Sequence, residues 1–234
     1  MSRGSEILRD SGDFSLSQLI SLAGYDSGAG CLSDAEYSEG IFRVSDLLSM
    51  NSGDEVLDLG CGSGGFAFVL GEGSGLRITG IDISGNLVGV AARAAPFARF
   101  KTMNLAGIGQ NGRKIAGTWD SIVALSLFQY LSPDNATSLF REALRVARGG
   151  VLISDVPDAD RFAEIEDFRR QSLGAELYER RYRSLRHHYH YGSTFESVLE
   201  EPEFLGGWSI EILRESVFPY AQGKLRMTVL AKRL

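Results

Sequence analysis

The stretch Val56-Leu57-Asp58-Leu59-Gly60-Cys61-Gly62-Ser63-Gly64-Gly65 carries the topology of this chain. Its first four residues form a short apolar run broken by one carboxylate, the length of a buried strand. The glycines that follow rule out a continued strand and set a tight turn, because glycine takes positive φ at no steric cost. Phe66 to Leu70 is apolar again and reads as the start of a helix. Downstream, Arg77–Ile83 is a second strand containing Asp82, and Ser84 caps a helix that runs to about Ala95 and is closed by Pro96. Arg99–Met103 is a third strand and Asp120–Leu125 a fourth. Ser132-Pro133-Asp134 opens a helix that reaches about Ala147 and is stopped by Gly149-Gly150, and Val151–Ser154 is the fifth strand. Strands alternating with helices predict a doubly wound α/β sheet, mostly parallel, with ligands bound beyond the carboxyl ends of the strands.

The flanks differ from this core. Residues 1–50 predict a helical cap, with helices at about Ser15–Ala23 and Asp34–Met50 around a glycine-rich loop that carries Tyr25. Residues 51–157 form the α/β core, and 158–192 a charged helical insertion. Residues 193–234 complete the sheet, with Ser193-Thr194-Phe195-Glu196 as a capping box before strands at Ser209–Leu213 and Arg226–Ala231. The last two strands, joined by a short connection with Pro219 and Gly223, suit an antiparallel pair.

Composition narrows the function classes. The 234 residues are 44% hydrophobic and 23% charged with a formal net charge of −6, which fits one globular domain with an insertion. The acidic balance argues against a general affinity for nucleic acid. No run approaches eighteen apolar residues and residues 1–15 lack a signal-peptide core, so neither membrane association nor export is expected. Cys31 and Cys61 are the only cysteines, and Cys61 lies inside the glycine loop, so a reducing, cytoplasmic location is expected.

The glycines match two templates. Gly60, Gly62 and Gly65 spell G-x-G-x-x-G, the spacing of a dinucleotide loop. Gly60, Gly62 and Gly64 spell G-x-G-x-G, the spacing of another adenosine cofactor. Both use the same physics: close backbone approach, and a helix N-terminus with free N–H groups. Asp82 can accept hydrogen bonds from ribose hydroxyls in either. Asp58 separates the two. A carboxylate at that depth is costly to bury unpaired. An ammonium and a sulfonium would offset its charge, whereas a pyrophosphate would repel it.

With Asp58 in place, VLDLGCGSGG resembles the first motif of class I S-adenosylmethionine-dependent methyltransferases. GIDIS at 80–84 resembles their second-strand motif, WDSIVALSLFQYL at 119–131 the fourth strand and its exit, and LRVARGGVLISDVP at 144–157 the helix-turn-fifth-strand motif. The resemblance covers residues 35–155 well and 193–234 loosely. It implies a Rossmann-like methyltransferase fold, a mostly parallel seven-stranded sheet with an antiparallel last strand, and S-adenosylmethionine as cofactor with S-adenosylhomocysteine as product. It implies that Gly60, Cys61, Gly62 and Gly64 line the methionine half, with Asp58 near its amino group. Asp82 would bind the ribose and Ile83 the adenine. Asn104 and Leu105 would stand where the family places an acidic residue and an apolar one for the adenine amine and ring. Ser126 to Tyr130 would flank the transferring methyl. A nicotinamide-dependent oxidoreductase using Gly65, and a non-catalytic partner subunit, are the competing readings.

On the substrate side, residues 180–190 read RRYRSLRHHYH, with four arginines, all three histidines of the chain and no acid. This predicts a lid or rim for a small anionic acceptor bearing a carboxylate or phosphate, or carried on an acidic protein, with Arg186 among the contacts. A solvated helix face paired with Glu176 and Glu179 is the alternative. Methyl transfer is an in-line displacement and needs mainly alignment. An oxygen acceptor often also needs a base, and His190 is expected in that role; a nitrogen acceptor needs only to arrive neutral. Tyr25, Phe128, Tyr130, Tyr189 and Tyr191 are expected around the acceptor, and no metal is required.

Overall fold

The computed structural model describes residues 14–25, 31–182 and 187–234. In chain order the elements are α1 (Leu16–Leu22), α2 (Asp34–Leu47), β1 (Glu55–Leu59), α3 (Gly65–Leu70), β2 (Arg77–Asp82), α4 (Gly85–Ala94), β3 (Arg99–Thr102), β4 (Trp119–Leu125), α5 (Pro133–Val146), β5 (Ala147–Pro157), α6 (Phe162–Leu173), α7 (Ala175–Tyr182), α8 (Gly192–Leu199), β6 (Trp208–Leu213) and β7 (Arg226–Arg233). The sheet order is β3-β2-β1-β4-β5-β7-β6. Strands β1 to β5 pair in parallel, and β7 lies antiparallel between β5 and β6. This is the expected doubly wound α/β sheet.

Period-two alternation explains why both faces are apolar. Leu57 and Leu59, Ile122 and Ala124, and Val151 and Ile153 pack on one face, against α5 and α8 through Phe140 and Phe195. Val56, Val123 and Leu152 pack on the other, with Ile41 of α2 and Phe66 of α3. Asp58 shares its parity with Val56, so its carboxylate emerges on the α3 side, at the carboxyl end of β1 next to the glycine loop.

Two local expectations are corrected. Gly149 and Gly150 do not stop the helix; α5 ends at Val146 and both glycines lie within β5. They are needed there for packing, since a Cβ on Gly149 would sit 2.8 Å from the Asp120 carbonyl and one on Gly150 2.7 Å from Leu48 Cδ2. Ser193 does not cap a helix either. Helix α8 starts at Gly192 with Tyr191 as its N-cap and no side-chain cap. The helix comes this close because a Cβ at Gly192 would already touch Ile212 of β6 at 3.2 Å.

Candidate active site

The glycine loop is tied down by its own backbone. The Gly60 and Cys61 amides donate to the Ile81 carbonyl at 2.7 and 3.0 Å. The Gly62 amide donates to Asp82 Oδ2 at 2.9 Å, and the Ser84 amide to Asp82 Oδ1 at 2.8 Å. Asp82 thus joins the loop to the start of α4, while a second lone pair on each oxygen stays available to a ligand. Ser63 anchors α1 by donating to the Leu19 carbonyl at 2.7 Å. A Cβ on Gly62 would meet nothing closer than Ala23 Cβ at 4.0 Å, so this turn of the loop faces open space.

The last two glycines serve packing. Gly64 has φ +84°, and a Cβ there would lie 2.8 and 2.9 Å from Ala91 Cβ and Cα in α4; one on Gly65 would lie 2.6 Å from the Tyr37 hydroxyl. Gly65, not Gly64, lines the cavity. Gly64→Ala combines positive-φ strain with a clash against backbone and is expected to cost about 2–4 kcal/mol. Denaturant unfolding measures this.

Asp58 is buried at 3% exposure. Among the described residues its carboxylate has no hydrogen-bond partner. Burial, and then the nearby Asp82 charge, push its pKa up to about 7. Burial, and then the Asp58 charge, raise the Tyr37 hydroxyl and the Cys61 thiol far above their ordinary values. Cys61 is therefore a neutral packing thiol.

These groups open onto a cavity of about 470 Å³. Tyr25 and Tyr37 line it and meet edge to face at 5.8 Å, and buried Phe218 stacks on Tyr37 at 5.3 Å. Across the cavity the strand ends of β4 and β5 carry Ser126 (φ 54°) and Asp155 (φ 63°), both non-glycine residues in the left-handed region. Such backbones persist where the surroundings hold them and cluster at functional sites. Ser126 Oγ donates to Asp155 Oδ2 at 2.5 Å and Tyr220 donates to Asp155 Oδ1. Ser126 has spent its only proton, so the bond between Tyr25 and Ser126 runs from the phenol to the serine. Buried Arg226 stands 4.0 Å from Asp155 Oδ1 and donates to Gln129 Oε1 at 3.0 Å.

Of the residues expected at the site, Tyr25, Asp58, Gly60, Cys61, Gly62, Asp82, Ile83, Ser126 and Tyr130 line this cavity. The others do not. Leu105 is in the core, and Asn104 Oδ1 accepts from the Ala106 amide in its own turn. Phe128 is fully buried against His190 and Phe195. Tyr191 is exposed away from the cavity. Tyr189 receives a bond from Arg169 at 2.7 Å and donates to Glu166. Arg186 lies outside the described residues.

His190 is the main correction. It is 2% exposed, its Nε2 bonds the Phe128 carbonyl at 2.9 Å, and its backbone joins Pro157 and Ala159. Burial holds its pKa below the ordinary value, and it does not reach the cavity. His190→Ala is expected to cost about 2–3 kcal/mol through lost packing and one lost hydrogen bond. The pH dependence of turnover should be unchanged, which a pH–rate profile of the variant checks.

Sequence reasoning missed Tyr220, Gln222 and Arg226, which line the cavity with Gln129 from the 126–130 stretch and His187 from the cationic run. Arg226 and Gln222 sit in what reads as a plain hairpin. The available signal was a cation opening an otherwise apolar strand.

A family model described as "Methyltransferase domain" matches residues 56–150. Phosphoethanolamine N-methyltransferase of Triticum aestivum is 44% identical over 50 residues, which are 21% of this chain and 10% of that protein, so the match spans about a tenth of that relative's length. Magnesium protoporphyrin IX methyltransferase from Synechocystis PCC 6803, solved with bound SAH, superposes with a TM-score of 0.61 at 19% identity, covering 86% of this chain and 85% of that one. The plantazolicin methyltransferase BpumL, in complex with SAH, gives 0.61 at 16% identity over 85% and 82%. Among the described residues no helix is long and apolar enough to cross a membrane. Residues 56–150 thus match a methyltransferase-domain family model, and the chain as a whole shares the fold of these solved methyltransferases.

Proposed function

We propose that the protein transfers a methyl group from S-adenosylmethionine to an oxygen or nitrogen of a small anionic acceptor held in the cavity. Asp58 is the observation that supports this most: a buried carboxylate without a partner among the described residues, at a cavity wall, beside the open side of Gly62. An ammonium supplies the missing charge, and a pyrophosphate would worsen it. Asp58 would hold the amino group and Asp82 the ribose, with Gly60 and Gly62 letting the chain approach. When bound, the cofactor supplies an activated methyl on a sulfonium. The protein's own part is to align the acceptor and exclude water, a part for which Tyr25 and Tyr37 stand at the cavity wall. For an oxygen acceptor, the bonds from Tyr25 to Ser126 to Asp155 all run toward a carboxylate, so this chain is the route by which a proton leaves.

Calorimetry tests the reading. S-Adenosylmethionine and S-adenosylhomocysteine should each bind at micromolar levels and NADH should not bind. Methyl-labelled cofactor incubated with fractionated small molecules should transfer its label to an ionised product. Binding of NADH alone would restore the oxidoreductase reading, and cofactor binding without any transfer would favour a non-catalytic subunit.

A further inference from the structure

We infer that the acceptor is a monocarboxylate and that Arg226, Gln222 and His187 form the clamp for its carboxylate. This rests on the cavity being the methyl-transfer site and adds the acceptor's class. Among the described residues, the Asp58 carboxylate apart, the buried side-chain polar atoms without a hydrogen-bond partner are Arg169 Nε, His187 Nε2, Gln222 Nε2 and Arg226 Nε. All are nitrogens, and the last three belong to residues that line the cavity.

Each of the three is a donor. Arg226 Nη2 donates to Gln222 Oε1 at 3.4 Å, so the amide oxygen faces the guanidinium and the NH₂ is left over. Arg169 can only donate, so its 3.1 Å contact with His187 makes Nδ1 the acceptor and puts the proton of the neutral ring on Nε2. Burial, then the Arg169 charge, hold His187 down to about 3, so the ring stays neutral. Arg226 Nε–H is the third donor, with Asp155 no nearer than 4.0 Å. Arg169 itself is committed elsewhere, paired with Glu166 and lying over the Tyr182 ring.

Unpaired buried donors cost free energy until an acceptor arrives. A carboxylate offers acceptors only, on two oxygens spaced for a guanidinium edge. Asp155 already offsets much of the Arg226 charge, and His187 adds none. Arg181 also lines the cavity, and the three orphan donors match the acceptor oxygens of a planar carboxylate.

The test uses the full chain saturated with S-adenosylhomocysteine and a panel of monocarboxylates from acetate to benzoate, with the matched amides and phosphate esters. At about ten times Kd the carboxylates should raise the melting temperature by about 3 °C or more, and the amides and phosphates should not. Gln222→Met and Arg226→Met should each weaken carboxylate binding at least tenfold. Where Arg226→Met has lost its fold by circular dichroism, Gln222→Met and the wild-type panel decide. Equal binding of amides or phosphates overturns the clamp, and so does the absence of carboxylate binding while S-adenosylhomocysteine binds, or carboxylate binding undiminished in a folded variant. Failure of S-adenosylhomocysteine itself to bind overturns the methyl-transfer reading beneath it.

Discussion

Asp58→Asn should weaken S-adenosylmethionine binding about 100-fold and, at neutral pH and above, make the cofactor-free protein more stable. The two effects share one cause. The carboxylate sits in the apolar end of β1, beside Asp82, with no hydrogen-bond partner among the described residues. Its folded pKa of about 7 lies above its value in the unfolded chain. The folded state therefore holds the proton more tightly, and stability falls as pH rises from about 4 toward 7. Above pH 7 the ionised form stays buried at a cost on the order of 2–4 kcal/mol. Asn is neutral throughout and escapes this, so its melting temperature at pH 8 should rise by about 5–10 °C. The same charge is what an ammonium needs. A charge-assisted hydrogen bond contributes about 1.5–3 kcal/mol, the upper end of which is roughly 100-fold in affinity. Wild-type affinity should rise about tenfold per pH unit below 7 and level off above it, and in Asp58→Asn it should be flat. Calorimetry from pH 5.5 to 8.5 reads both slopes. A pH-independent wild-type affinity together with an unchanged variant would remove Asp58 from cofactor binding.

The same residue shows what sequence reading reaches. Asp58 and the glycines are adjacent in the chain, so their joint chemistry is visible in one window, and the alternation of strands and helices is local as well. The packing roles of Gly64 and Gly65 are not local. They depend on Ala91 in α4 and Tyr37 in α2, and for that reason two glycine templates look equivalent in the sequence. RRYRSLRHHYH reads as one cationic rim, but it divides in space. Arg180 and Arg181 end α7, and His187 and Tyr189 turn to Arg169, while His190 turns to Phe128. The run therefore splits between His187, which lines the cavity, and His190, buried three positions on. Composition carries no such split. Arg226, Gln222 and Tyr220 reach Asp155 or its neighbours only because β7 lies antiparallel against β5.

Asp155→Asn is expected to lower turnover with an oxygen acceptor by about 10²–10⁴-fold, the range of a lost acid–base function, and to destabilise the fold by about 3–5 kcal/mol. The substitution suits the backbone, because Asn is among the few residues at ease with φ near +60°, so the strand end keeps its shape. Its electrostatics change completely. Ser126 and Tyr220 each donate to one oxygen of Asp155, and Asn offers one oxygen and one NH₂. One of the two donors must turn around. If Ser126 turns, its proton points at Tyr25 and the route from phenol to carboxylate is reversed. If Tyr220 turns, the Ser126 bond survives but ends on a neutral amide that takes up no proton. In either case Arg226, buried beside Asp155, loses the opposite charge that offsets its desolvation, and that loss is the source of the stability cost. Cofactor affinity should change little, since Asp58 and Asp82 hold that end of the cavity. A variant that binds S-adenosylhomocysteine normally, melts early and turns over slowly is the expected result; wild-type turnover in a folded Asp155→Asn protein would rule out the carboxylate as the proton's destination.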